Sequence, residues 1–243
     1  MGGLFNAVLA SLVALTLTFQ ATPPTPPPTA SVGPFTGNPQ LYPLSCEIRS
    51  AVDTAAFWNI PMTEDDMIAR MPHSDDPNLG FVGDYNAPAG SMPPDGYGVY
   101  ALPIAQTLRR LGVDAKAHYS YTLLELKNEL AQGRPVIIWS TYDMKASPLI
   151  PWTTNAGVTI NVVQWEHSFV AVAYDETGIS LIDAYDGQLK KFDFASFERG
   201  WAQLNNMAVT VYGRMRPPVS YTRHRLADYN HFFRHDQLDI GPF

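Results

Sequence analysis

Ser45-Cys46-Glu47-Ile48-Arg49-Ser50 is the stretch from which the rest of the chain can be read. Cys46 is the only cysteine in 243 residues. Pro39 and Pro43 hold the preceding chain extended. After the cysteine, Ile48, Val52, Ala55, Ala56 and Phe57 recur at helical spacing. The thiol therefore sits at the first turn of a helix, among backbone N–H groups without acceptors and at the positive end of the dipole. Both favour thiolate, the nucleophilic form. The competing reading is a small buried hydrophobe.

Downstream, the strand pattern His167-Ser168-Phe169-Val170-Ala171-Val172-Ala173-Tyr174 is followed by the turn Asp175–Gly178 and the strand Ile179–Asp183. Antiparallel pairing through a tight turn brings the start of the first strand to the end of the second. His167 and Asp183 should then be neighbours. A carboxylate on one imidazole nitrogen orients the ring and leaves the other nitrogen for a thiol. Gln40, six residues before Cys46, is a candidate side-chain donor to an oxyanion, beside the Cys46 backbone N–H.

Helix patterns at 46–58, 63–71, 102–111, 123–132 and 194–201 precede or punctuate strand patterns at 115–119, 136–139, 166–174, 179–183, 188–192 and 208–212. Helices dominate the first half and strands the second, an α+β order. The stretch 73–98, rich in Pro, Gly, Asp and Asn, reads as a long ordered loop, and 141–157 as a second irregular one.

These residues carry a resemblance. Gln40 with Ser45–Ser50 resembles the nucleophile motif of the papain-fold cysteine peptidases similar to double-glycine leader peptidases, the bacterial "thirty-nine-like" peptidases. Asp75–Asp84, Tyr97–Tyr100, Glu166–Asp175, Ile182–Gly187 and Phe197–Trp201 resemble further family elements, in family order. The resemblance implies a papain-like α+β fold with a helical half bearing Cys46 and an antiparallel sheet half bearing His167 and Asp183. It implies Cys46 as nucleophile, His167 as general base and acid, Asp183 as its orienter and Gln40 as oxyanion donor. Ser45, Arg49 and Ala184 depart from the usual family residues without removing a catalytic atom.

The implied activity is peptide-bond hydrolysis. An amidase or transpeptidase, or a silent module binding peptide or cell-wall polymer, is the alternative. No cofactor or metal is expected: His231 and His235 have helical i,i+4 spacing but no third ligand near them. Net charge is −7 with no long basic run, which argues against nucleic acid as a partner.

The first charged side chain is Glu47. Residues 4–19 are nearly all apolar, short for a span of ~20 residues, and suit a secretory signal or anchor over 1–21. The Thr/Pro run 22–29 opens a linker, 22–38, with no means of packing a core of its own. A peptidase domain over 39–214 and an extension over 215–243 complete the expected plan. The expected address is outside the cell or on the outer face of the cytoplasmic membrane, where a single cysteine forms no internal disulfide. The expected partner is a peptide or protein substrate.

Overall fold

The computed structural model describes residues 25–215. The segments 1–24 and 216–243, with the proposed export segment, His231 and His235, lie outside the described residues. Among the described residues no helix is long and apolar enough to cross a membrane.

In chain order the elements are β1 (Ala30–Ser31), α1 (Cys46–Phe57), α2 (Glu64–Ile68), β2 (Val82–Gly83), β3 (Gly96–Gly98), α3 (Ala101–Arg110), β4 (Val113–His118), α4 (Leu123–Ala131), β5 (Val136–Thr141), β6 (Leu149–Thr153), β7 (Thr159–Val163), β8 (Glu166–Tyr174), β9 (Gly178–Asp183), β10 (Leu189–Asp193), α5 (Phe194–Gln203) and β11 (Ala208–Arg214). Three of the helices, α2, α4 and α5, begin at side-chain caps, with Asp193 accepting from the Ser196 N–H at α5. Thr63 with Asp66 and Thr122 with Glu125 form reciprocal capping boxes at α2 and α4.

The main sheet runs β10-β9-β8-β5-β11-β4, all antiparallel, with β1 joined to β8. Its inner strands β9, β8, β5 and β11 are largely buried, whereas β10 and β4 expose part of their length, and alternation sorts the side chains. Ile137, Trp139, Val170, Val172, Val209 and Val211 pack with α1 and α3 residues such as Ile48, Val52, Ile104 and Leu108. Val136, Ile138, Phe169, Ala171 and Leu181 pack with Leu126 and Leu130 of α4 and Phe197 and Trp201 of α5. The central strand β8 therefore supports helices on both sides, and its first residues emerge where α1 begins. The arrangement is an antiparallel-sheet α+β fold of the papain-like kind.

Three features differ from the sequence reading. The loop 141–157 contains β6, which pairs with β7 as a separate hairpin. The stretch 73–98 is part of the core: Phe81 is fully buried and stacks on Tyr85 at 3.7 Å between centroids, and β2 pairs with β3. The linker's second half is docked. Ala30 pairs with Tyr174, Val32 N–H donates to Val172, and Tyr174 Oη donates to the Pro27 carbonyl. Phe35 stacks on Phe57, and Asn38 donates twice to Asp53. Proline gave the segment no core of its own, but the free side of β8 beyond its pairing with β5 gives it a partner.

Candidate active site

Cys46 opens α1, and its residue is 7% exposed. Ser45 precedes it as N-cap but donates its hydroxyl to Glu64 and accepts from the Tyr42 N–H rather than capping the helix with its side chain. The approach turn is thus fixed from beneath by Glu64, itself bridged to Arg49.

His167 and Asp183 meet as strand pairing requires. Asp183 lies opposite Phe169, which is two residues from His167 along β8 and so on the same face of the sheet. His167 Nε2 and Asp183 Oδ1 are 2.6 Å apart, in a pair almost wholly withdrawn from solvent. With Nε2 occupied, Nδ1 is the ring nitrogen left for chemistry. The ring packs on Phe169 at 4.8 Å and Tyr142 at 5.7 Å between centroids. Burial pushes the Asp183 carboxyl up, but the hydrogen bond and charge of His167, the Lys190 ammonium and the Tyr185 N–H outweigh it and hold it at about 2. Asp186, three residues on, faces Lys190 at 3.4 Å.

Cys46, His167 and Gln40 line one cavity of about 230 Å³, with Tyr97, Tyr142, Trp165 and Tyr185 around it. Ala89 and Gly90 from the 73–98 loop form part of its wall. Trp165 lies so close over Gly90 that a Cβ there would sit 2.5 Å from the indole.

Two placements depart from the sequence reading. Gln40 commits its amide nitrogen to the carbonyls of Tyr42 (2.9 Å) and Pro43 (2.8 Å), closing its own turn, so it offers no free donor in this geometry. The Cys46 thiol has Glu47, not His167, as its side-chain hydrogen-bond partner among the described residues: Sγ donates to Oε2 at 3.3 Å. Burial, followed by the Glu47 and Glu166 carboxylates, pushes the thiol well above its usual range, and the Ser168 N–H opposes them. At the thiol, burial and these two acids outweigh the helix start.

Glu166 belongs to the site and was legible only in part. Along β8, residues 166 and 168 share a face. Ser168 Oγ donates to Ser50 of α1 at 2.9 Å, and the Glu166 carboxylate approaches Cys46 and Glu47 on that same side. His167 between them turns to Asp183. Period-2 counting from the histidine would have found this pairing, and Glu47 adjoins the cysteine in sequence. Lys190, which completes the Asp183 environment, carried no signal.

The sequence matches the family described as "Peptidase_C39 like family" over residues 32–209. The chain belongs to the Peptidase_C39-like family. The matched span begins within the docked segment described above. A curated relative from Bacillus subtilis (strain 168), "Uncharacterized protein YvpB", is 29% identical over 185 residues, 71% of this chain and 70% of the relative. A crystal structure described as a C39-like peptidase from Bacillus anthracis superposes with a TM-score of 0.68 at 22% identity, covering 77% of this chain and 99% of that one. At that identity the likeness shows the fold. Xylellain, a cysteine protease from Xylella fastidiosa, gives a TM-score of 0.46 at 14% identity over 79% of this chain and 87% of that one, too low to carry an argument.

Proposed function

We propose that this Peptidase_C39-like protein is an exported cysteine peptidase that hydrolyses peptide bonds through Cys46, His167 and Asp183. The observation that carries the reading is the buried 2.6 Å His167–Asp183 hydrogen bond on the wall of the cavity into which the α1-initial cysteine opens. In the reaction, the Cys46 thiol passes its proton to His167 Nδ1, and the sulfur attacks the scissile carbonyl carbon. The oxyanion is met by the Cys46 backbone N–H at the helix start, and by Gln40 once its Pro43 contact is exchanged for the substrate. Collapse expels the amine, which takes the proton from His167, and leaves a thioester. His167 then deprotonates a water that attacks the thioester, and the carboxylate product leaves the thiol restored. Asp183 holds the ring's tautomer throughout.

Export is supported by the apolar 4–19 stretch and the uncharged run before Glu47. The outer face of the cytoplasmic membrane, or the medium if the segment is removed, is the compartment this implies.

Peptide-library cleavage by the full chain, compared with Cys46→Ala and His167→Ala, tests the activity. Cleavage that both substitutions abolish, with new amino termini identified by mass spectrometry, is expected. A wild-type protein that leaves every peptide intact, or variants that cleave as well as wild type, would refute it. Fractionation of cells expressing the full chain, read against a chain starting at Thr25, tests the address.

A further inference from the structure

The fold brings together three groups that the hydrolytic scheme uses only in part: Cys46 Sγ and the carboxylates of Glu47 and Glu166. One donor atom from each lies within 4.8 Å of the others. The cluster is built rather than incidental. Val99 N–H donates to Glu47 Oε1 at 2.6 Å and so directs Oε2 to the sulfur. Gly98 leaves the slot in which both acids sit. A Cβ at that position would stand 2.3 Å from Glu47 Oε1 and 3.1 Å from Glu166 Oε2. Glu166 Oε1 is shut off from solvent and has no hydrogen-bond partner among the described residues. Neither acid has a Lys or Arg partner among the described ion pairs. Three groups that each carry a negative charge when ionised are thus gathered without a cation, Cys46 and Glu47 buried and Glu166 part-buried, which is costly unless protons or a metal ion neutralise them.

We propose that Cys46, Glu47 and Glu166 form a binding site for a thiophilic divalent cation, Zn²⁺ in particular, which occupies the nucleophile and holds the protein inactive. One thiolate and two carboxylate oxygens suit zinc. The thiolate disfavours Mg²⁺ and Ca²⁺, which take oxygen ligands. Donors around a four-coordinate zinc ion stand roughly 3.3–3.8 Å apart, given bonds of about 2.0–2.3 Å. The cluster therefore needs to contract by about 1 Å, within the reach of a glutamate rotamer change. Cys46 and Glu166 both line the cavity, so the fourth position is open to water. Binding releases the thiol proton and any proton the acids hold, so affinity rises with pH. His167 stays with Asp183 and is not a ligand. The metal site is independent of the peptidase reading in its chemistry, and its consequence for activity rests on that reading.

The test needs no substrate. Co²⁺, then competing Zn²⁺, is titrated into the metal-free full chain, and the thiolate-to-cobalt absorption in the near ultraviolet is recorded. A one-to-one band that Cys46→Ser abolishes is expected. Glu166→Gln should weaken binding by about tenfold or more, and His167→Ala should leave the affinity essentially unchanged. Zn²⁺ should also slow alkylation of Cys46 by iodoacetamide. Absence of the cobalt band in the wild-type protein overturns the proposal. So does affinity that His167→Ala removes and Glu166→Gln does not, which would identify a cysteine–histidine chelate. Circular dichroism of each variant guards against misfolding, and Glu166→Asp, which withdraws the oxygen by one methylene, serves if Glu166→Gln does not fold. Peptide turnover is a separate reading: a protein that binds Co²⁺ in this way but whose metal-free form cleaves nothing keeps the site and loses the peptidase assignment.

Discussion

Glu47 Oε2 accepts a hydrogen bond from Cys46 Sγ at 3.3 Å, so in the resting protein the thiol proton points to a carboxylate and not to the imidazole. Burial raises the Glu47 carboxyl to about 7, with the Val99 N–H and Cys46 pulling the other way. Burial and then Glu47 raise Glu166 as well. Two acids and a thiol this close do not all ionise together.

Alkylation of Cys46 as a function of pH should therefore report a thiol that ionises above the free-thiol value of ~8.5. Removing an acid should lower it. Glu166→Gln and Glu47→Gln are each expected to move the inflection downward and raise the rate at neutral pH. An inflection well below ~8.5 in the wild type would mean that the imidazole, not the acids, governs the thiol.

The same acids set a pH dependence of stability. A carboxyl raised to about 7 in the fold and near ~4.3 in the unfolded chain binds more protons folded than unfolded between those values. Stability should then fall as pH rises from about 4.3 to about 7, and level off above. Asp183 has the opposite sign. Its folded value, about 2, lies below the unfolded ~3.9, so its contribution is complete above ~3.9 and is lost as pH falls through about 2. Urea melts at a series of pH values check both signs. Glu47→Gln should flatten the neutral slope, and an unchanged slope would show that Glu47 is not its source.

Asp183 and Asp186 are separable by substitution. Asp183→Asn should cut peptide turnover by roughly two to four orders of magnitude, because it permits the wrong imidazole tautomer. Asp186→Asn weakens the contact with Lys190 and keeps an oxygen for the Gln188 N–H, so its effect should be mild. Steady-state rates of both variants on one peptide decide it, and the reverse ranking would reassign the orienting carboxylate.

Removal of the docked segment should be costly. A chain that begins at Pro39 loses the β1 pairing, the Phe35–Phe57 stack and both Asn38 hydrogen bonds to the buried Asp53. The loss expected is roughly 3 kcal/mol or more, at about 1 kcal/mol per hydrogen bond or aromatic contact. Denaturant melts of chains starting at Thr25 and at Pro39 measure it. Equal midpoints would show that the segment only rests on the surface.

The order of elements was readable because each has a strong local signal. The capping boxes at Thr63 and Thr122 mark their helices, and the Asp175–Gly178 turn fixes which ends of β8 and β9 meet. From that meeting, His167 and Asp183 follow by counting. The rest depends on contacts that sequence does not order. Phe81 and Tyr85 make the 73–98 stretch a core element through a stack in which Tyr85 lies four residues beyond Phe81, despite a composition of turn formers. Gln40 could be placed at the cleft, but which carbonyls its amide meets is a matter of backbone turns at Tyr42 and Pro43. The sign of the Cys46 shift depends on burial and on Glu166, which is 120 residues away in sequence.

The pairing of Ala30 with Tyr174 also fixes how the molecule would be presented. Tyr174 is at one end of β8 and His167 near the other, about 23 Å apart at roughly 3.3 Å per residue. From Ala30 the chain passes Phe57, at the far end of α1, and then Asn38 and Gln40 before reaching the cysteine. Pro27 and Ala30 therefore sit at the pole of β8 away from the cleft. A bulky group attached there would leave the mouth of the cleft free.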